Sequence, residues 1–261
     1  MTLEEVQSLQ LAMMSKIHEF CVNRDIRYSL GGGTLLGAVR HKGYIPWDDD
    51  IDIMLPRPDY DRFINEFVGY DSDLDVQNYN MDPTYPWSWT RVCNNKTILY
   101  SQHAIGGIFI DVFPVDGLPE EKYMEEYHKK VLNLKKHVAY TNKFNEDRIE
   151  RNSIVRLIKK TIKGVLYLGH QTAINRLEKQ LRSYPFETSK YAGAIIGMYG
   201  PKEQMDAEVF KKYITLPFEE YRFMCIADYD AYLTKHYGDY MQLPPIEKQV
   251  THHRFKTYWK P

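Results

Sequence analysis

Three consecutive glycines followed closely by a run of aspartates constrain the fold of this chain more than any other feature. Gly31, Gly32 and Gly33 precede the segment 45–55, which reads IPWDDDIDIML and places four carboxylates within five residues. Like charges a few ångströms apart repel by about 1 kcal/mol per pair in water, and by more in a partly buried site. The folded chain must therefore offset this repulsion.

The residues around the aspartates favour a bound cation over a solvated acidic loop. Ile51 and Ile53 alternate with acidic residues, and this period of two predicts a half-buried strand. On such a strand Asp48, Asp50 and Asp52 share one face. Carboxylates at this spacing form a site for a hard divalent ion, which removes the repulsion. An EF-hand is excluded because its sixth and twelfth positions need Gly and Glu, and this sequence has Ile and Asp there.

The glycines lie between a predicted strand over residues 26–30 and a predicted short helix that begins at Thr34 as its N-cap. The backbone amides of such a turn, at a helix N-terminus, can bind a phosphate group. The alternative is that the three glycines only form a tight connection. The acidic segment that follows favours the phosphate-binding interpretation.

The remaining pattern predicts an α+β fold. A second acidic residue, Asp111, interrupts the apolar run FIDVF, where it is costly unless it is paired or bound to a metal. It is a candidate third ligand or general base, whereas Asp116, next to Gly117, is interpreted as a turn residue. Helices are expected over 2–24 and 59–68, and strands near 74–79, 89–100 and 107–113.

The second half of the chain begins with a long helical pattern from residue 119 to about 184. Its segment 148–166 is basic and amphipathic, which is typical both of a membrane-surface helix and of a bundle helix. Mixed structure then returns, with a hairpin over 213–226 and a helix that ends at Gly238. The expected division is a catalytic core at 1–118, a helical region at 119–188 and a mixed region at 189–261 that completes the domain.

Composition excludes several classes of protein. The chain has 261 residues, 43% of them apolar, so it can bury a core, and its net charge of −1 provides no general attraction for nucleic acid. Three isolated cysteines argue against a disulfide framework. The N-terminal segment lacks the apolar core of a signal peptide, and no apolar run is long enough to span a bilayer. These features predict a cytoplasmic protein.

Three segments together resemble a known family. GGGTLLGAVRHKGYIPWDDDIDIMLPR, FIDVFPVDGLP and DYDAYLTKHYGDYMQLPP are similar to successive signature blocks of the LicD family, bacterial phosphocholine transferases related to the fukutin-related ribitol-phosphate transferases. The blocks extend from about residue 28 to residue 245. The resemblance implies a nucleotidyltransferase-like mixed sheet flanked by helices, with a helical insertion.

The resemblance also implies the chemistry. A phosphotransferase of the CDP-alcohol class would move phosphocholine from CDP-choline to a sugar hydroxyl of a teichoic acid or lipopolysaccharide precursor and release CMP. Transferases that use other CDP-alcohols, those of ethanolamine, glycerol or ribitol, would have the same acidic and glycine motifs. A nucleotide-sugar glycosyltransferase with an Asp-x-Asp motif is the alternative from another enzyme class. Because the glycan acceptor, lipid-linked or soluble, is usually built at the membrane, the protein is expected to contact its inner face, with 148–166 as the candidate segment.

Residue roles follow from this resemblance. The expected cofactor is Mg²⁺, or alternatively Mn²⁺, held by Asp48, Asp50, Asp52 and Asp111, of which the last three are the proposed catalytic residues. Arg40 and His41 are candidates to pair with phosphate oxygens, and Lys42 is either a third candidate or simply solvated. The glycine turn and the threonine after it are further candidates to bind the substrate: Gly31, Gly32, Gly33 and Thr34. Four aromatic residues are candidates for a cage around choline, or alternatively fill the core: Trp47, Tyr85, Trp87 and Trp89.

Overall fold

The computed structural model describes residues 1–82, 85–100, 105–142, 169–251 and 256–261. The predicted basic amphipathic helix over 148–166 lies outside these ranges. The helices are α1 (Leu3–Asn23), α2 (Gly32–Arg40), α3 (Arg57–Glu66), α4 (Glu121–Asn142), α5 (described over 169–181) and α6 (Tyr229–Tyr237). The strands are β1 (Ser29–Leu30), β2 (Asp52–Pro56), β3 (Leu74–Gln77), β4 (Thr90–Asn94), β5 (Thr97–Tyr100), β6 (Ile105–Gly106), β7 (Phe109–Leu118), β8 (Tyr191–Gly193), β9 (Met205–Asp206), β10 (Tyr213–Phe218), β11 (Tyr221–Ile226) and β12 (Lys256–Trp259). The predicted α+β class is confirmed.

Helix α1 begins at a capping box, in which Thr2 and Glu5 exchange backbone and side-chain hydrogen bonds. Its apolar side chains recur at helical spacing, and Met14, Ile17 and Phe20 are fully buried against the rest of the main core. This confirms the helix predicted over residues 2–24.

The largest sheet is mixed, and β7 is its central strand. The order β1-β2-β7-β4-β3 includes one parallel pair, β2 with β7, while the other pairs are antiparallel. The far end of β7 pairs with β8, which in turn pairs with β9. The register places Asp52 of β2 and Arg91 of β4 on either side of Asp111. The sheet therefore brings together three charged residues that are distant in sequence.

The acidic segment is not the strand that its alternation predicts. Strand β2 begins only at Asp52, and the preceding aspartates lie in a loop, so Asp48, Asp50 and Asp52 do not share a strand face. Two glutamines of α1 hold the loop, because Gln7 and Gln10 donate their side-chain amides to the backbone carbonyls of Asp48 and Asp49. The prediction was right about the core: Ile51 and Ile53 are fully buried.

Three other expectations need correction. Helix α2 begins at Gly32 with Gly31 as its N-cap, so Thr34 lies inside the helix. The predicted strand over 89–100 is two strands in different sheets, because Asn94 and the turn after it separate β4 from β5. Asp116 is not a turn residue: it is 1% exposed within β7 and forms a buried ion pair with Arg57. That ion pair offsets the cost of placing a carboxylate in the core.

Buried side chains form two main clusters. The larger one joins α1, α2, β2 and α3 to the C-terminal hairpin β10–β11 and α6. The smaller one joins α4 and α5 to the end of β7. The predicted hairpin and the predicted helix end at Gly238, with φ of +69°, are confirmed. The division at residues 118 and 188 stays a prediction. Among the described helices, none has a stretch apolar enough to cross a membrane.

Candidate functional site

A cluster of carboxylates lies in the loop between α2 and β2. Asp48, Asp49 and Asp50 each direct a carboxylate oxygen to within 4.8 Å of the others. Asp49 is buried and the other two are half-buried. This converging arrangement is what a hard cation requires, because carboxylate oxygens are its preferred ligands.

The glycine turn and the acidic segment are joined by two backbone hydrogen bonds. The Gly31 amide donates to the carbonyl of Asp52 at 2.9 Å, and the Asp52 amide donates to Oγ1 of Thr34, also at 2.9 Å. Thr34 is 4% exposed, so this bond is made inside the protein. The turn and the first residue of β2 therefore hold one another in position.

Small residues in the turn leave room for the carboxylates. A Cβ atom at Gly33 would lie 2.9 Å from Oδ2 of Asp48, and one at Gly32 would lie 3.4 Å from Oδ2 of Asp52. Gly32 also has a φ of +48°, which other residues rarely adopt. The glycines thus face the carboxylates directly, and the predicted phosphate-binding turn and the predicted metal ligands belong to one site.

Asp52 is the carboxylate most affected by its surroundings. Burial raises its pKa well above the usual value, and the negative charges of Asp50, Asp111 and Asp48 raise it further, while the positive charge of Arg91 opposes them. An acid surrounded in this way is destabilised when ionised, and a bound cation would relieve that cost.

Asp111 is held by groups from β4 and the loop before it. Its Oδ1 accepts hydrogen bonds from Nε1 of Trp89 at 2.8 Å and from Nε of Arg91 at 2.7 Å, and its Oδ2 accepts one from Nη2 of Arg91 at 3.3 Å. The Arg91 guanidinium lies 3.7 Å from the ring centroid of Phe109 and 5.0 Å from that of Trp87. Arg91 is thus a fixed positive charge beside the carboxylates.

The aromatic residues expected to form a choline cage have close neighbours. Trp89 lies with its ring centroid 5.0 Å from that of Trp87 and 5.3 Å from that of Phe113, both at shallow angles. Tyr85 is 5% exposed in the smaller core cluster. Trp47 lies apart from them, half-buried, with its ring edge-on to His41. The cage over these residues stays a prediction, and the Arg91 guanidinium already faces one of its rings.

The basic residues after the turn have protein partners. Nη1 of Arg40 donates to the carbonyls of Tyr240 and Gln242, at 2.8 and 3.2 Å. Burial lowers the pKa of His41, and the Arg40 charge lowers it further. Lys42 is exposed and donates to the carbonyl of Val39. Whether Arg40 and His41 bind phosphate stays a prediction, and the exposed Lys42 agrees with its solvated alternative.

Sequence reasoning missed several residues of this site. Arg91 follows Trp89 at the spacing that places both on one strand face, a signal that could have been read once β4 was known to adjoin Asp111. Asp49 was left out because strict alternation directs it away from the other carboxylates. Gln7 and Gln10 gave no signal, because a glutamine on an amphipathic helix is ordinarily solvated.

The donor set fits a divalent cation. Asp48, Asp49, Asp50, Asp52 and Asp111 offer only hard oxygen ligands, as Mg²⁺ and Mn²⁺ prefer, whereas the three cysteines are all buried elsewhere in the chain. The charges that act on Asp52 are those of Asp50, Asp111 and Asp48, which raise its pKa, and that of Arg91, which lowers it. A glycine turn beside such a site can bind the phosphates of a nucleotide.

Comparisons with known proteins identify the family to which this chain is similar. Residues 25–152 match a family described as LicD/FKTN/FKRP, nucleotidyltransferase domain. The chain is 33% identical over 268 aligned positions to a lipopolysaccharide cholinephosphotransferase, LicD, of Haemophilus influenzae, covering 99% of this chain and 98% of that protein. A shorter match, 44% identical over 62 residues, relates 23% of the chain to an uncharacterised protein of Rickettsia typhi, of which it covers 20%.

Proposed function

The chain belongs to the LicD family, and from this premise we propose that it transfers phosphocholine to a sugar hydroxyl of a lipopolysaccharide-type glycan. CDP-choline is the proposed donor and CMP the product that leaves. The observation that carries this proposal is the glycine turn that faces a cluster of carboxylates, with Gly32 and Gly33 against Asp52 and Asp48. We extend the proposal to the fold, which we interpret as nucleotidyltransferase-like.

Carboxylates of the loop and of two neighbouring strands are the proposed holders of the metal. Asp48, Asp49 and Asp50 converge in the loop, where Asp49 is added by its position. Asp52 lies close enough to Asp48 and Asp50 to be affected by their charges, and Asp111 lies beside it in the sheet. When bound, Mg²⁺ would neutralise the charge that develops on the pyrophosphate as the leaving group departs. These residues fix where the donor phosphates lie.

The glycine turn and Arg91 complete the binding of the donor. The amides at the start of α2 lie where an anion is favoured, since a helix N-terminus carries partial positive charge. Arg91 holds Asp111 through both carboxylate oxygens and keeps it oriented toward the other acidic residues. Asp111 already accepts three N–H groups, which leaves about one of its four lone-pair sites for a metal ion or for the proton of a hydroxyl. Metal ligand and general base both stay proposed roles for Asp111.

Release of CMP tests the proposal. Purified protein is incubated with Mg²⁺, a lipopolysaccharide acceptor and one donor at a time: CDP-choline, CDP-ethanolamine, CDP-glycerol, CDP-ribitol or a UDP-sugar. We expect CMP from CDP-choline and a loss of product when the divalent cation is chelated. Turnover of the UDP-sugar alone would instead support the glycosyltransferase alternative, and CMP from another donor alone would reassign the alcohol.

A further inference from the structure

Two tyrosines from distant parts of the chain meet beside the glycine turn. Tyr199 follows the buried segment after β8, and Tyr237 is the last residue of α6. Their hydroxyl oxygens lie 3.1 Å apart, and their rings are nearly perpendicular, with centroids separated by 6.0 Å and an angle of 86°. The two rings therefore form a corner with two differently oriented aromatic surfaces.

This tyrosine corner, Tyr199 with Tyr237, lies next to the acidic cluster. The Tyr237 hydroxyl is 3.9 Å from the position of a Cβ atom at Gly32, and the same position is 3.4 Å from Oδ2 of Asp52. Burial raises the pKa of both phenols, and the negative charge of Asp52 adds to the effect. A ligand bound at the glycine turn would therefore find the corner within reach.

The corner is supported from behind but remains accessible. His236 stacks on Tyr232 at 4.1 Å, lies 3.3 Å from Glu203, and presents its ring to Tyr199 at 5.1 Å. Tyr199 itself is 41% exposed, and the preceding residue, Met198, is 96% exposed. The corner thus has a fixed orientation and one ring open to solvent.

The tryptophan pair, Trp87 with Trp89, is a less suitable surface for a cation than the tyrosine corner. Trp87 already faces the Arg91 guanidinium, and the Trp89 ring packs at shallow angles against Trp87 and Phe113. A second cation at these rings would approach a buried arginine and be repelled. At the tyrosine corner the carboxylates of Glu203 and Asp52 act on Tyr199, and that of Asp52 also acts on Tyr237, so they attract a cation. The Arg40 guanidinium also acts on Tyr237, but it donates to the carbonyls of Tyr240 and Gln242.

We propose that Tyr199 and Tyr237 receive the trimethylammonium group of the donor, an inference that rests on the proposed function. A quaternary ammonium has no N–H to donate, so it is bound through aromatic faces and nearby negative charge. The primary ammonium of an ethanolamine donor needs hydrogen-bond acceptors in place of its water, and a polyol gains little from a ring face. The corner therefore selects choline over the other alcohols.

Calorimetric titration with Mg²⁺ present tests the corner, using CDP-choline, CDP-ethanolamine and CMP as ligands. In Tyr199→Leu we expect CDP-choline to bind about 2- to 30-fold more weakly, with CMP unchanged. Tyr199→Phe and Tyr237→Phe keep the rings and should keep the preference for CDP-choline over CDP-ethanolamine. Tyr123→Leu, which removes an exposed ring on α4, is the matched control and should bind all three ligands like the wild type.

Each result decides between roles for the corner. Equal weakening of CDP-choline and CMP in Tyr199→Leu would show that the ring contacts the nucleotide or supports the fold, and would overturn the proposal. Unchanged CDP-choline binding would overturn it as well. If the wild type binds CMP and CDP-choline equally and releases no CMP from any CDP-alcohol, the proposed function itself fails. If it releases CMP but Tyr199→Leu keeps its preference, only the corner fails.

Discussion

Strand β7 carries two buried aspartates whose surroundings differ. At one end of the strand Asp116 accepts hydrogen bonds from Arg57 on both oxygens, at 2.6 and 2.8 Å, and the same guanidinium reaches Glu178 at 2.7 Å. Arg182 extends this network from Glu178. Arg182 also pairs with Asp61, so every charge of this network has a protein partner of opposite sign. This end of β7 is a structural ion network.

Five residues earlier, Asp111 is also paired with an arginine, but here the neighbour across the sheet is another carboxylate, that of Asp52. The charges of Asp48 and Asp50 act on Asp52 as well. An aspartate–arginine pair is therefore not by itself a sign of structure or of function. The neighbouring carboxylates that raise the pKa of Asp52 are what indicate a site for a ligand cation at this end.

The largest expected difference between the two ends is in catalysis. Asp111→Asn should lower the rate of CMP release by about 10³-fold, because loss of one anionic ligand removes several kcal/mol of metal-based stabilisation. Asp116→Asn, the matched change on the same strand, should keep most of the activity per folded molecule. Initial rates corrected for the folded fraction by circular dichroism measure both. Retention of wild-type activity by Asp111→Asn would remove it from the site.

The free energy of unfolding, in contrast to the catalytic rate, should depend more on the Asp116 end of β7 than on the Asp111 end. Arg57→Met leaves the carboxylate of Asp116, 1% exposed, without its partner and should lower the free energy of unfolding by about 3–5 kcal/mol. Arg182→Met is the control, since its pairs are more exposed and are worth about 1 kcal/mol or less. Urea denaturation of both variants gives the comparison. Equal losses in the free energy of unfolding would show that the buried ion pair of Arg57 stabilises the fold no more than the exposed pairs of Arg182.

Without metal, the free energy of unfolding should depend on pH because negative charges lie close to Asp52. Because the pKa of Asp52 is raised in the folded state, the folded protein binds this proton more tightly than the unfolded chain does. Its contribution to stability is present at low pH and is lost as the pH rises above about 4 toward the folded pKa. The stability of the wild type relative to Asp52→Asn should therefore fall with rising pH. A difference that stays constant from pH 4 to 7 would contradict this.

The smallest expected effect concerns the fit of the glycine turn. A Cβ atom at Gly33 would lie 2.9 Å from Oδ2 of Asp48, so Gly33→Ala displaces that carboxylate without unfolding the protein. The Mg²⁺ concentration for half-maximal activity should rise roughly tenfold, as for other groups that orient metal ligands. Gly169→Ala, where an added Cβ meets no atom within 4 Å, is the control. Equal Mg²⁺ requirements in the two variants would place Asp48 outside the metal site.

Local sequence patterns predicted those parts of the molecule that local forces determine. Helix α1, the hairpin β10–β11 and the end of α6 at Gly238 follow from periodicity and caps, and all were predicted. The acidic loop was predicted as a strand because alternation at Ile51 and Ile53 is real, while the glutamines that hold its backbone are on another helix. Pairings across the sheet depend on register, which no local pattern encodes.

The two aspartates of β7 illustrate the same limit. Asp116 was read as a turn residue from the adjacent Gly117, because its partner Arg57 lies about sixty residues earlier in the sequence. Asp111 was read as functional from the cost of an isolated carboxylate in an apolar run, and this argument holds equally for Asp116. Only the neighbours that the fold supplies separate the two.

Binding of Mn²⁺, followed by electron paramagnetic resonance of the free ion, tests whether a metal site lies at the Asp111 end of β7. We expect the wild type to take up Mn²⁺, Asp52→Asn and Asp111→Asn to weaken this uptake strongly, and Asp116→Asn to leave it unchanged. The experiment needs no donor or acceptor, so it is independent of which alcohol is transferred. Uptake that is equal in Asp111→Asn and Asp116→Asn would contradict the claim that the metal site lies at the Asp111 end of β7.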